Sequence, residues 1–372
     1  MSVNLQPSHA GGASYEDVVD FAINLRVDKR IGDAVKGFDA PFYQAGLAGY
    51  SDGAMRLIAR QHGCPFCVTE ALLDRTLISG GKGRRKEDPD ILAQEIDKLE
   101  DNSENMLIDH PIAGQIIGTY PEEMARGAKI LVEMGYDVID VNLACPVKKV
   151  RRRNRGGHFL LDPNEACEIL SSVREVVPNN IPTSVKLRRG WDDNAESKDR
   201  FYKIFDWAYS TGYIWTTVHP RTVEQRYQGP SDWDFLSELT TNRPDHLVFG
   251  SGDIWCAADI FRMMKQTGVH GVSVARGCIG NPWIFTQARA LIDGKEPLLP
   301  SIEEQRQTLL EHLSLCTELH GEIKSSRLMR KFGIQFSKYH PESDEVKKNF
   351  IQAESVTEWK SVIDKFYLRP SN

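Results

Sequence analysis

In IAGQIIGTYPEEMARGAKILVEMGYDVIDVNLACPVKKV, residues Ile112 to Val150, two β-rich runs flank one stretch of helical period. The runs are Ile112–Ile117 and Val138–Leu143. The stretch between them opens on Pro121 and closes on Gly135. Proline suits a helix start because the first turn has no use for the missing N–H, and glycine accepts the left-handed backbone that ends a helix. The segment predicts one strand–helix–strand unit.

Working outward, further β-rich runs lie near Gln44–Ala48, Phe66–Thr69, Thr183–Leu187, Ile214–Val218, Leu247–Gly250 and Gly271–Ala275, making eight in all. Most precede a segment such as DPNEACEILSSVREVV, from Asp162. Eight strand–helix alternations over roughly 250 residues predict an α/β fold, a (β/α)8 TIM barrel. A doubly wound open sheet is the alternative, but no G-x-G-x-x-G follows the first run.

The chain has 372 residues, too many for one small core, so a large domain with an appendage is expected. Beyond Pro300, SIEEQRQTLLEHLSLCTELHGEIKSSRLMRKFG is helical in period. The expected layout is an extension at 1–37 that packs on the barrel with no readable role, a barrel domain at 38–300 and an all-helical C-terminal domain at 301–372. From Gly80, GGKGRRKEDPDILAQEIDKLEDNSENM reads as a charged surface insertion. No run approaches the length of a membrane span, and the first residues lack a secretory pattern. Seven cysteines without a regular framework fit reduced thiols in a cytoplasmic protein. A formal net charge of -6 means that any nucleic acid must be met by a local patch.

Barrel enzymes place their chemistry at the C-terminal ends of the strands. Those ends carry a polar set here, without carboxylates and histidines at metal-ligand spacing, so no metal is expected. Two glycine-rich loops, Gly250–Asp253 and Ala275–Trp283, leave backbone N–H groups free to face an anion, and the helix after GNP adds its positive end. Arg276 adds a bidentate donor. A phosphate-bearing cofactor or substrate is expected there. CPFC, Cys64 to Cys67, has redox or half-zinc spacing, but with no second C-x-x-C these read as core cysteines. Glu70 suits either substrate alignment or support of the barrel.

DVNLACPVKKV, VKLRRGWDD, VHPRTVEQRYQGPSDW, GSGDI and VARGCIGNPWIF occur in that order. Together they resemble the tRNA-dihydrouridine synthases, flavin-dependent barrels with a helical C-terminal domain. The likeness covers about 44–290 well and the tail more loosely. It implies a reaction in which FMN, reduced by NADPH or NADH, passes hydride to C6 of a uridine in tRNA while a cysteine protonates C5. Carried over by position, Cys145 is the proton donor and Asn142 helps to hold the base. The resemblance places FMN against Gly46, Leu47, Ala48, Gln115, Lys186, His219, Ser251, Gly252, Asp253, Ala275 and Arg276. The chain departs from the family in Gly46-Leu47-Ala48, in Ser251-Gly252-Asp253 and in a longer, arginine-rich loop after Cys145. No protein partner is implied, and a monomer is the default.

The chemistry stands beside the likeness. Hydride addition to a conjugated C=C leaves charge that an acid must quench, and an ordinary thiol is mostly protonated at neutral pH. Neighbouring cations would favour thiolate instead. The expected resolution is that Lys148, Lys149, Arg151, Arg152, Arg153 and Arg155 face RNA on a mobile loop, away from the sulfur. Lys186 suits the charge of a reduced flavin ring. His219 fits flavin, base or core, and Asp253 fits flavin or a helix cap. In the tail, Lys324, Arg327, Lys331 and Lys338 share one helical side beside an apolar stripe of Leu328, Phe332 and Phe336, with Gly333 as a potential kink. A second RNA contact is expected there. The competing functions are a flavin oxidoreductase of free pyrimidines, resembling dihydroorotate or dihydropyrimidine dehydrogenases, and an idle RNA-binding protein on the same scaffold.

Overall fold

The structure, a computed structural model, describes residues 13–79 and 109–368. The charged insertion expected from Gly80 and the first twelve residues of the extension lie outside the described residues.

Nine parallel strand segments form the sheet: β1 Phe42–Gln44, β2 Cys67–Val68, β3 Leu72–Leu73, β4 Ile112–Ile117, β5 Val138–Leu143, β6 Thr183–Arg188, β7 Trp215–His219, β8 Leu247–Ser251 and β9 Gly271–Val274. The order is sequential from β4 to β9. Closure comes from β1, which pairs with both β9 and β2, and from β2, which pairs with β4. β2 and β3 are two pieces of one stave, because β2 lies against Ile112 and Ala113 and β3 against Ile116 and Ile117. The result is the expected eight-staved barrel. All residues of β4 and β5 are buried, as strands covered on both faces by their crossovers require.

Two strands differ from expectation. The first ends at Gln44, so Gly46, Leu47 and Ala48 belong to the following loop rather than to the ladder. The second breaks at Thr69–Ala71, where the Thr69 hydroxyl accepts from the Gln115 N–H at 3.0 Å and replaces a ladder bond. The two irregularities meet. A Cβ on Gly46 would stand 2.2 Å from the Thr69 carbonyl oxygen, so only glycine passes.

Around the staves run α3 Gly53–Gln61, α4 Asp74–Ser79, α5 Pro121–Glu133, α7 Pro163–Val176, α8 Ala195–Ser210, α9 Trp233–Asn242, α10 Ala257–Thr267 and α11 Trp283–Ile292; the short α6, Lys148–Arg151, lies after β5. α1, Tyr15–Asn24, is started by a reciprocal Ser14–Asp17 capping box and packs against α10 and α11. α2, Lys29–Ala34, and the residues after it supply a role that the sequence did not disclose. Ile31, Val35 and Phe38 close the barrel floor against Tyr43, Phe66, Trp215 and Phe249, with Phe38 stacked on Phe66 at 4.7 Å. Each such buried side chain contributes on the order of 1.5–3 kcal/mol.

The tail comprises α12 Ile302–His320, α13 Glu322–Phe336, α14 Ser343–Gln352 and α15 Val356–Tyr367. α12 starts with a Ser301–Glu304 capping box and packs on α3. α13 runs unbroken through Gly333, so the potential kink is not there. That glycine instead lets two helices approach, since a Cβ would stand 2.3 Å from the Trp359 ring. Phe332 and Phe336 are buried, as the stripe predicts, whereas Leu328 is half-buried. Among the described residues no helix is long and apolar enough to cross a membrane.

Candidate active site

The C-terminal ends of the staves surround a cavity of about 410 Å³. Gly46, Leu47 and Ala48 line it from the first loop, Gln115 from β4, and Asn142 and Cys145 from the end of β5. Lys186 and His219 enter from β6 and β7. Ser251, Gly252, Asp253, Ala275 and Arg276 complete the wall from β8 and β9. Residues spread over 230 positions of sequence are thus brought into one chamber, because parallel staves all end on the same face.

Cys145 is held by a chain of buried hydrogen bonds. Ser184 donates to Asp140 Oδ1 at 2.7 Å, Gln115 Nε2 donates to Asp140 Oδ2 at 2.7 Å, and Asn142 Nδ2 donates to Gln115 Oε1 at 2.7 Å. Asn142 Oδ1 then accepts from the backbone N–H groups of Ala144 and Cys145, both at 3.1 Å. Its amide oxygen is therefore committed to the loop that carries the sulfur, while the side chain still lines the cavity. Buried Arg188 also holds this loop, with Nε donating to the Ala144 carbonyl at 3.0 Å and Nη1 donating to the carbonyls of Thr222 and Arg226.

The glycines that end the basic block return to this loop. Gly157 N–H donates to the Cys145 carbonyl at 3.1 Å. Gly156 has φ 58°, and a Cβ there would lie 2.8 Å from the Cys145 Cβ. Gly-Gly is the only pair small enough to cradle the thiol from below.

Burial pushes the Cys145 thiol above its ordinary pKa, and this outweighs the Val147 N–H and the charges of Arg188 and Arg151, which act the other way. The tension between a basic loop and a protonated sulfur is settled by desolvation. Lys148, Lys149, Arg152 and Arg153 are exposed. The expectation that the whole block faces outward needs correction at two positions. Arg151 stacks on Trp191 at 4.9 Å and donates to the Pro146 carbonyl. Arg155 is buried, its Nε donating to Thr119 Oγ1 at 3.0 Å.

On the neighbouring stave, burial pulls Lys186 down to about 8, with Asp140 opposing that shift. Burial, followed by the charges of Arg188 and Lys186, holds His219 neutral. Its Nε2 accepts from Arg221 at 3.3 Å, which leaves the ring proton on Nδ1. Asp253 has φ 55° and turns its carboxylate to Arg221, at 2.7 Å, and to the Ser231 N–H, at 2.8 Å. Burial raises its pKa, but those partners win and keep it low. Its side chain does not cap α10, whose box is made by Cys256 and Asp259, while the residue still lines the cavity. Arg276 lies over Trp255 at 4.7 Å and over Tyr227 at 5.2 Å.

The start of the helix after GNP lies against the tail and does not line the cavity. Gly280 abuts α13, where a Cβ would meet Gln335 Cβ at 2.6 Å, and Trp283 packs on Phe336 and Tyr339. The cavity wall at that point is formed by Ala275, Arg276 and Ile279. Arg221 stands at the end of a stave beside His219, as its sequence position predicts, whereas nothing in the sequence singled out Tyr227 and Trp255. The latter two are 53% and 45% exposed at the mouth, a partial exposure that only the folded chain reveals. In the tail, Lys324 and Arg327 are exposed. Lys331 is drawn in over the ring of Tyr50 at 4.5 Å, beside the cavity, and joins tail to barrel. Cys64 and Cys67 are buried, unpaired core cysteines as expected, with sulfurs 3.9 Å apart.

A thiol that burial keeps protonated, a lysine whose pKa burial lowers and an arginine-walled cavity share the C-terminal face of the barrel. The family model for dihydrouridine synthase (Dus) matches residues 43–369, and the chain belongs to that family, whose members are flavin-dependent oxidoreductases. A probable tRNA-dihydrouridine synthase of Rickettsia conorii is 30% identical over 302 residues, covering 81% of this chain and 85% of that protein. The tRNA-dihydrouridine synthase B of Shewanella oneidensis is 28% identical over 324 residues, covering 87% and 94%. Among solved structures, histamine dehydrogenase from Rhizobium sp. 4-9 matches with a TM-score of 0.51 at 12% identity over 79% of this chain. The chain spans about half, 51%, of that enzyme, and the likeness is one of fold.

Proposed function

We propose that the protein is a cytoplasmic tRNA-dihydrouridine synthase that uses FMN, with NADPH or NADH as reductant. The observation that carries this reading is a desolvated, protonated Cys145 in the same chamber as Lys186 and Arg276. The chamber fits a flavin on its own features. Gly46 admits no side chain, Gly252 has φ 104°, and Lys186 offers an ammonium to the cavity. Lys186 and His219 would hold the ring, and Arg276 with the turn Ala275–Ile279 would hold the phosphate. When bound and reduced, the flavin supplies hydride to C6 of the uracil.

The chain's own residues do the rest. Cys145 Sγ gives its proton to C5, so the C5=C6 bond becomes saturated and the thiolate regains a proton from solvent. Asn142, Gln115 and Asp140 fix the sulfur by fixing its backbone. Neutral His219 can donate a hydrogen bond from Nδ1 without adding charge near the sulfur. A uridine reaches this chamber only when turned out of its stack. Exposed Lys148, Lys149, Arg152 and Arg153 lie on the loop that leads into the mouth and suit tRNA phosphates, and Lys324 and Arg327 suit a second grip by the helical tail.

The test is reduction of transcript tRNA against free uracil by the purified flavoprotein. Dihydrouridine in RNA with no turnover of the free base supports the proposal. Turnover of free pyrimidine alone would favour the dehydrogenase-like reading, which leaves the exposed basic loop without a task.

A further inference from the structure

We propose that the joint between barrel and tail is a zinc site made by Asp52, His312 and Cys316. The sequence suggested no metal set because its members are split between the start of α3 and the middle of α12. His312 and Cys316 are one turn and a fraction apart, which puts both on one face of α12. One ligand atom from each of the three residues lies within 4.8 Å of the others. Tetrahedral zinc with bonds of about 2.0–2.3 Å needs ligand atoms roughly 3.5 Å apart, a contraction within the reach of side-chain rotation.

An independent observation points to a ligand. His312 is only 1% exposed, yet neither ring nitrogen has a hydrogen-bond partner among the described residues. A buried imidazole with two unpaired nitrogens is costly, and coordination through one of them removes half of that cost. The ring also borders a void of about 10 Å³ lined by Gln44, whose Nε2 and Oε1 are likewise unpartnered. That space suits one water, which would link Gln44 to the other ring nitrogen as metal-bound histidines usually require.

The protonation states are compatible. Burial pulls His312 down to about 4, leaving a lone pair available. Burial raises the Cys316 thiol, so coordination must release its proton to solvent, as metals do to thiols. Asp52 caps α3 through Oδ1, at 3.1 Å from the Met55 N–H, and accepts from His320 Nε2 through Oδ2 at 3.0 Å. His320, one further turn along α12, would complete the shell or hold the carboxylate. Lys331 and Lys324 are the cations that neighbour Cys316 and oppose the metal. The consequence is mechanical: a bound ion would pin the loop that walls the cavity, Gly46–Tyr50, to the tail through Asp52.

The test uses the full-length flavoprotein, zinc competition against a chromophoric chelator, and X-ray absorption at the zinc edge. One equivalent bound with a single sulfur in its shell is expected. Cys316→Ala should lose the sulfur and at least tenfold in affinity, while Cys145→Ala keeps both. Asp52→Asn preserves the helix cap, because asparagine caps as well as aspartate, and should still lose about tenfold in affinity. No competition by the wild-type protein, a shell without sulfur, or a sulfur that persists in Cys316→Ala would overturn the proposal.

Discussion

The backbone N–H of Cys145 donates to Asn142 Oδ1 at 3.1 Å, three residues earlier at the end of the same stave. The bond ties the position of the thiol to a buried polar chain that ends at Asp140 and Ser184. Burial raises the Asp140 carboxyl, and the bonds from Ser184 and Gln115 counter it. The sulfur is therefore aimed by β4, β5 and β6 together.

Cys145→Ala should reduce RNA turnover by at least about 10²-fold, the usual effect of removing a general acid. Bleaching of the flavin by NADPH should persist. Stopped-flow absorbance for the first half-reaction and dihydrouridine content for the second check this; an end to bleaching would make the cysteine a cofactor residue.

Flavin affinity should depend on pH through Lys186, whose pKa lies at about 8 in the flavin-free cavity. Below that pH the ammonium is present and attracts an anionic ligand; above it the charge is lost. The dissociation constant for FMN should therefore rise with pH beyond 8, by up to about tenfold per pH unit. Fluorescence titrations at several pH values measure it, and Lys186→Met should bind weakly with a flat profile.

Gly157→Ala would place a Cβ 2.8 Å from Val223 Cγ2 and 3.0 Å from the Cys145 carbonyl. Overpacking of this kind costs about 1–3 kcal/mol. Urea denaturation should show that destabilisation. Turnover should fall more than flavin binding does, because the displaced atoms belong to the thiol loop.

The arginines of the basic block should separate into two kinds. Arg152→Ala with Arg153→Ala should flatten the salt dependence of RNA binding by up to about 0.7–0.9 in log–log slope for each phosphate that the variant no longer neutralises. Arg155→Ala should leave the slope unchanged and lower thermal stability, since its Nε is spent on Thr119. Equal slopes in all variants would remove the loop from the RNA interface.

Phe38→Ala should destabilise the protein by about 3–5 kcal/mol, the usual cost of an aromatic deletion in a core. Phe38 stacks on Phe66 and Phe249 at the barrel floor, far from the cavity at the other end. Denaturation should register the change while turnover of the folded fraction does not.

Local pattern was enough for the staves, because a parallel strand buried on both faces must be apolar along its length, and β4 and β5 match their sequence boundaries. It was also enough to put Cys145 and the two glycine-rich loops at strand ends, which converge on one barrel face whatever lies between them, while the role of Cys145 came from the family resemblance. It failed where a residue's partner is remote. Arg153 and Arg155 are alike in sequence, yet one is exposed and one is buried, its guanidinium turned in to Thr119 from far along the chain. Gly280 and Gly333 read as a phosphate turn and a kink, but each is small because a helix from elsewhere presses on it. The unpartnered imidazole of His312 against Asp52 has no trace in either local stretch. Periodicity along the chain reports which face of an element is buried; which atoms meet that face depends on neighbours hundreds of residues away, and they arrive only once the barrel has closed and the tail has docked.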